Sequence, residues 1–270
     1  MRKHIFVFIR YSVVLKSRKN NWIVGREDDF EGYKKSVFKP ERLRARRKLF
    51  ETVTLSSLDR QQSMNNVTVV IMTSDELPEE EKRALDSFCD SRPWVKVVEL
   101  NEDEKNYEKC IRREVKALND DVLYASVRLD DDDALASDFF IRLSGYLEKE
   151  NIDRIISLGL GYAGIYSDSE KRFSEFKRYY YPKIAIGLAK ISYYDKRNKA
   201  FSSGSIYADG RHTIVDQKSV TLLDSRSPSF IRLIHSSADT VGVHDRKIAK
   251  MEAATPEEVG KHFDFELLDK

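Results

Sequence analysis

The run VLYASVRLDDDD at residues 122–133 constrains this chain most. It begins as an apolar segment of the kind that fits a pleated, buried surface, and it ends in four consecutive aspartates. Two carboxylates ~4 Å apart repel by about 1 kcal/mol in water and about 4 kcal/mol at an effective dielectric near 20. Such a cluster is kept cheaply only where water solvates it or a cation binds it. In extended backbone, Asp130 and Asp132 point one way and Asp131 and Asp133 the other. One pair can then face a metal while the other caps the next helix or meets a basic side chain. Hard oxygen ligands suit Mg²⁺ or Mn²⁺, which complete their shells with water and phosphate. A solvated acidic turn before a helix is the plain alternative. A calcium loop of the EF-hand type fits poorly, because Ala134 and Leu135 stand where that loop needs an acid and a glycine.

The preceding residues say where the cluster sits. Strands are expected at 4–15, 67–72, 95–100 and 122–129, each rich in β-branched or aromatic residues. Between them, helices are expected from about 41, with Leu43, Leu49, Phe50 and Val53 on one face, after Pro78, where three glutamates favour a helix start, and over 104–118. Residues 16–39 read as a long loop. This alternation predicts an α/β fold with a mostly parallel central sheet and helices on both faces. Ligands bind beyond the carboxyl ends of strands in such sheets, and residues 130–133 lie at such an end.

The second half has a different texture. A helix is expected over 138–150 with Ser137 as its N-cap. Short β-like runs follow at 155–160, 179–181, 184–191 and 213–223, forming a smaller β-rich region in which tyrosines are concentrated. Residues 159–164, with three glycines, match no phosphate-binding glycine pattern and read as a bend. No repeat or linker divides the chain, so one domain spanning 1–270 is expected.

Charge and cysteine content remove whole classes. With 47 basic and 45 acidic side chains the net charge is +2, which offers no general attraction for nucleic acid. The two cysteines, Cys89 and Cys110, form no metal-binding spacing, and two reduced thiols in a cytoplasmic protein are expected. The apolar run at residues 5–9 is too short for a signal peptide, and no stretch approaches the ~20 apolar residues that span a bilayer.

Asp130-Asp131-Asp132-Asp133-Ala134-Leu135, followed by Ser137-Asp138-Phe139, resembles the DxD segment of GT-A glycosyltransferases. The opening FIRYSVV, the stretch from Arg47-Lys48-Leu49-Phe50-Glu51 to Ser57-Leu58-Asp59-Arg60-Gln61, and VTVVIMTSDELPEE together resemble the bacterial rhamnosyltransferase family of that fold. Asn66-Val67-Thr68 departs from the family's usual Asn-Phe, and the tyrosine-rich region aligns with no family pattern, which leaves the acceptor open. The resemblance implies a nucleotide-sugar-binding half over about 1–135 and an acceptor-binding half over about 136–270. It implies that Asp130, near the nucleotide ribose or the metal, binds the nucleotide-sugar together with Asp131 and Arg10, although Arg10 also reads as a surface arginine. It further implies that Asp132 binds Mn²⁺ or Mg²⁺, and that a late histidine, His235 before His244, supplies another ligand. Either histidine otherwise reads as an ordinary loop or half-buried residue.

Inverting transfer also needs a base for the acceptor hydroxyl. Residues 208–216 offer Asp216, then Asp209, then His212, and a simple turn fits all three equally. The basic run over 41–48 reads as the solvated face of the first helix. Together these features point to a metal-dependent, inverting glycosyltransferase with a nucleotide-sugar donor and a saccharide or glycolipid acceptor. It would act in the cytoplasm, with peripheral contact at the inner face of the membrane left open. Two rivals remain. A nucleotidyltransferase would show a glycine-rich loop, where this chain has only Arg18, Lys19 and Gly25. A degenerate domain that only binds glycan would not hydrolyse donor.

Overall fold

Two sheets organise the chain in this computed structural model, which describes residues 1–17, 29–167, 170, 172–235 and 248–264. The strands run β1 (Arg2–Arg10), β2 (Val67–Ser74), β3 (Val95–Leu100), β4 (Val122–Asp130), β5 (Ala134–Leu135), β6 (Ile155–Ser157), β7 (Leu160–Ser167), β8 (Arg172–Tyr180), β9 (Ala189–Asp195), β10 (Ala200–Phe201), β11 (Thr221–Leu223), β12 (Phe230–Ile234) and β13 (Ala253–Ala254). The helices are α1 (Phe30–Val37), α2 (Pro40–Leu49), α3 (Ser56–Asp59), α4 (Glu79–Asp90), α5 (Glu108–Ala117), α6 (Phe139–Ser144) and α7 (Pro256–Gly260).

The first sheet has the order β11-β6-β9-β4-β1-β2-β3, with β10 beside β9. Its centre, β4-β1-β2-β3, is parallel, whereas β9 joins β4 antiparallel. Alternation along β1 decides what covers each face. Ile5, Val7 and Ile9 pack with Leu43, Phe50, Leu58, Leu85 and Leu143, from the helices on one side. Phe6 and Phe8 pack with Cys110, Ile111 and Val115 of α5 on the other. This is the mostly parallel α/β sheet with helices on both faces that the strand–helix alternation predicts. The second sheet, β13-β8-β7-β12-β5, is the expected smaller β-rich region. Among the described residues no helix is long and apolar enough to cross a membrane.

Several elements depart from the sequence reading. Strand β1 stops at Arg10, and the chain turns through Ser12 at a positive φ of 48°. Within the expected loop at 16–39 lies α1, started by Asp29, whose side chain accepts from Gly32 N at 2.7 Å. Between α2 and α3 the helix widens to a π-helical turn at Phe50–Leu55, a feature often found near functional sites. The helix expected over 138–150 stops at Ser144. Its N-cap is Asp138, and the Ser137 amide donates instead to the His262 carbonyl at 2.9 Å. The runs expected at 184–191 and 213–223 form β9 and β11, the second after a 3₁₀ turn at His212–Gln217. Residues 159–164 are no bend, because Gly161 and Gly164 lie inside β7. A Cβ at Gly161 would stand 2.4 Å from the Phe230 carbonyl oxygen, so the close approach of β7 to β12 requires glycine there.

Candidate active site

The site forms where β1 and β4 end side by side. Their parallel register places Arg10 directly opposite Asp130, and an Arg10 guanidinium nitrogen meets an Asp130 carboxylate oxygen at 2.5 Å. Arg128 precedes Asp130 by two residues and so projects from the same face of β4, its guanidinium 3.9 Å from the same carboxylate. Burial opposes a charge on Asp130, yet Arg10 and then Arg128 outweigh it and hold the carboxyl below the usual range. Burial and the neighbouring Arg10 push Arg128 the other way, below an ordinary arginine. Beneath this group, Tyr207 donates to the Phe8 carbonyl at 2.9 Å and lies 5.8 Å from the Arg128 guanidinium. Tyr107 packs edge-on to Tyr207.

Past Asp130 the strand ends, and the expected alternation of the four aspartates ends with it. Asp131 turns inward to meet Arg46 of α2 in a two-bond pair, one bond being Nε to Oδ2 at 3.0 Å. Asp132 also approaches Arg46, at 3.6 Å, so adjacent carboxylates converge on one guanidinium. Burial pushes the Asp131 carboxyl up even with Arg46 beside it. Among the described residues, Asp133 neither caps a helix nor pairs with a cation. It accepts the Leu233 amide at 3.0 Å, and burial with Asp132 and Asp130 nearby raises it well above the usual range.

Strand β12 returns from far along the chain to lie between β5 and β7. This brings His235 Nε2 to 3.1 Å from Asp132 Oδ2. Burial works against the charge on Asp132, but Arg46 and His235 together hold its carboxyl below the usual range. Among the described residues no three or more His, Cys, Asp and Glu side chains gather as a metal cage. The Asp132–His235 pair nevertheless fits a hard cation that keeps waters and takes substrate phosphates, since one or two protein ligands suffice for it. The ring of His235 is fully buried, which fixes its direction. His244 lies outside the described residues, as do Arg18, Lys19 and Gly25.

The segment after β10 covers the face of β4 that carries Arg128. Asp209 is buried and paired with Lys190 of β9 at 2.9 Å. Asp216 lies at the surface, paired with Lys183 at 2.7 Å. His212, half-buried on the 3₁₀ turn, is close enough to feel the charges of Arg128, Asp130 and Arg232. The structure thus gathers Arg10, Asp130 and His212 in one region and joins Asp132 to His235, while each expected catalytic aspartate has a lysine partner. Arg46 and Arg128 escaped the sequence reading. Their signals were present: Arg46 shares the helical stripe of Leu43, Phe50 and Val53, and Arg128 shares a strand face with Asp130.

The family model described as "Putative rhamnosyl transferase" matches residues 4–247. No curated protein matches the chain. Among solved structures, the chain is similar to the mannosyltransferase PcManGT from Pyrobaculum calidifontis in complex with GDP-Man and Mn²⁺, with 12% identity and a TM-score of 0.33, covering 58% of this chain and 35% of that one. It is also similar to S. aureus TarS 1–349 in complex with UDP-GlcNAc, with 11% identity and a TM-score of 0.43, covering 97% of this chain and 64% of that one. It therefore spans less than two thirds of the length of either.

Proposed function

Because the chain belongs to the family described as "Putative rhamnosyl transferase", we propose that it is a metal-dependent glycosyltransferase that moves a sugar from a nucleoside-diphosphate donor to a saccharide hydroxyl, with inversion at the anomeric carbon. The observation that carries this reading is the meeting of Asp132 and His235 beside the Arg10–Asp130 pair, at the carboxyl ends of neighbouring parallel strands.

Each side chain has a part in this reading. Arg10 and Arg128 present guanidinium forks, which match phosphate oxygens in geometry and charge. Asp130 keeps Arg10 in place and offers its second oxygen to the nucleotide. Asp132 and His235 would hold Mn²⁺ or Mg²⁺, with Arg46 and Asp131 bracing the turn that carries Asp132. When bound, the cation supplies Lewis-acid stabilisation for the departing diphosphate. The donor is bound by about residues 1–135 and the acceptor by about 136–270, where half-buried Tyr181, backed by the buried ring of Tyr179 at 5.9 Å, would present a ring face to a sugar. Rhamnose is the sugar that the family description offers. The acceptor is a saccharide or glycolipid of a bacterial surface glycan, met in the cytoplasm at the inner face of the membrane.

A thermal-shift panel of UDP, GDP, dTDP and CDP, each with and without Mn²⁺, tests the reading on the wild type and Asp132→Ala. A ligand at ~100 times its Kd stabilises by about 2.7 kcal/mol, roughly 5 °C for a chain this long. One nucleotide should shift the wild type only with Mn²⁺, and Asp132→Ala should abolish that shift. If no nucleotide shifts the wild type under any condition, the transferase reading fails and a glycan-binding domain replaces it.

A further inference from the structure

We infer that His212, rather than Asp209 or Asp216, is the base that takes the proton from the acceptor hydroxyl; the inference rests on the transferase reading above. The argument starts from how the ring is held. His212 Nδ1 lies 2.6 Å from the Lys183 carbonyl oxygen. A carbonyl only accepts, so Nδ1 carries the proton and Nε2 keeps its lone pair. Among the described residues Nε2 has no hydrogen-bond partner and is not one of the sealed-off buried atoms. A histidine fixed in one tautomer, with the other nitrogen open, has the form a general base requires.

The carbonyl that orients His212 is itself held under strain. Lys183 has a φ of 61°, a left-handed conformation that a lysine adopts only when its surroundings enforce it. Its amide donates to Ser157 Oγ at 3.0 Å, and its ammonium meets Asp216 at 2.7 Å. Every polar group of Lys183 therefore ties Ser157 of β6 to the turn bearing His212. Asp216 acts through Lys183 as a positioning residue. Asp209 is buried with its carboxylate engaged by Lys190, away from solvent.

The surroundings suit the task. Burial holds His212 below an ordinary histidine, so the ring is neutral at pH 7. The Lys183 carbonyl opposes that shift, Arg128 reinforces it, Asp130 opposes it and Arg232 reinforces it. Tyr181 flanks the ring, 6.2 Å away between centroids. In the transfer step, the acceptor oxygen forms its bond to the anomeric carbon while its proton passes to His212 Nε2. The bond from that carbon to the diphosphate breaks, and its electron pair leaves on the phosphate oxygen. The imidazolium then returns its proton to solvent.

The test measures nucleoside-diphosphate release from dTDP-rhamnose and UDP-glucose with Mn²⁺, using methyl α-rhamnoside or water as acceptor, across pH 5–9. His212→Gln keeps a donor to the Lys183 carbonyl but cannot serve as a base. It should lower kcat by about 10²–10⁴-fold, leave donor KM within about twofold, and remove the acid limb of the pH profile. Asp216→Asn should cost less, roughly threefold to tenfold, and keep that limb. Where release is too slow to measure, diethyl pyrocarbonate labelling decides: His212 should label at Nε2 and be shielded by nucleotide with Mn²⁺. Release in His212→Gln within a few-fold of wild type, or a His212 that resists labelling or is not shielded, overturns the base assignment alone. A wild type that neither binds nucleotide nor releases it overturns the transferase reading, and the base with it; the silent wild type distinguishes the two failures.

Discussion

Arg46 stands in a basic run that reads as a solvated helix face, yet it is among the buried charges of the molecule. Its guanidinium bonds twice to Asp131 and lies 3.6 Å from Asp132. Removing one member of a buried pair leaves the other as an uncompensated charge, which costs about 3–5 kcal/mol. Arg46→Met should therefore destabilise the chain by about that amount in urea unfolding. Asp131→Leu added to it should recover part of the loss, because the Asp131 charge is then no longer orphaned, while Asp132 keeps only His235. A loss under about 1 kcal/mol for Arg46→Met would show that the pair does not brace the aspartate turn. The stripe of Leu43, Arg46, Phe50 and Val53 is legible at helical spacing. That its guanidinium would meet a carboxylate 85 residues later is not, because period alone names a buried face and not its partner.

At the scale of elements, the first half was the more legible. Parallel strands buried on both faces are continuous apolar runs, and β2, β3 and β4 fall within one or two residues of their expected positions. Helix α1 escaped notice because its apolar positions are few and a glycine interrupts them. In the second half β9 begins several residues beyond its expected start, since its limits follow antiparallel pairing with β4 and not its own composition. Gly161 marks how tightly these later strands pack. Gly161→Ala would press a methyl group onto the Phe230 carbonyl oxygen, 2.4 Å away, and its ring, 2.7 Å away. Overpacking of this kind costs about 1–3 kcal/mol, so the melting temperature should fall by about 2–5 °C, read by circular dichroism. A melting point unchanged from wild type would mean that β12 can move aside freely.

For the whole molecule, the two halves named in the sequence reading share their sheets. Strand β4 finds one neighbour in β1 and the other in β9, which comes from the later half. Asp133, at the end of the aspartate run, has its amide partner in β12, from the later half too. A fragment of residues 1–135 would expose one edge of β4, a ready template for aggregation, and would leave Asp133 without that amide. Expressed alone, it should be aggregated or unfolded by size exclusion and amide exchange, while the full chain unfolds in one transition. A monodisperse, protected fragment would show that the donor half folds by itself.

By itself the sequence determined that four aspartates close a buried strand of a mostly parallel α/β sheet, because burial, period and like-charge repulsion act within a few residues. Only the tertiary structure decided which aspartate meets which partner: Asp130 with Arg10 through strand register, Asp131 with Arg46 through helix packing, and Asp132 with His235 through the return of β12. The same holds for His212, whose orientation depends on one carbonyl at a strained lysine. Local pattern reports which surfaces must be covered, whereas long-range pairing is set by how the covered surfaces close on one another.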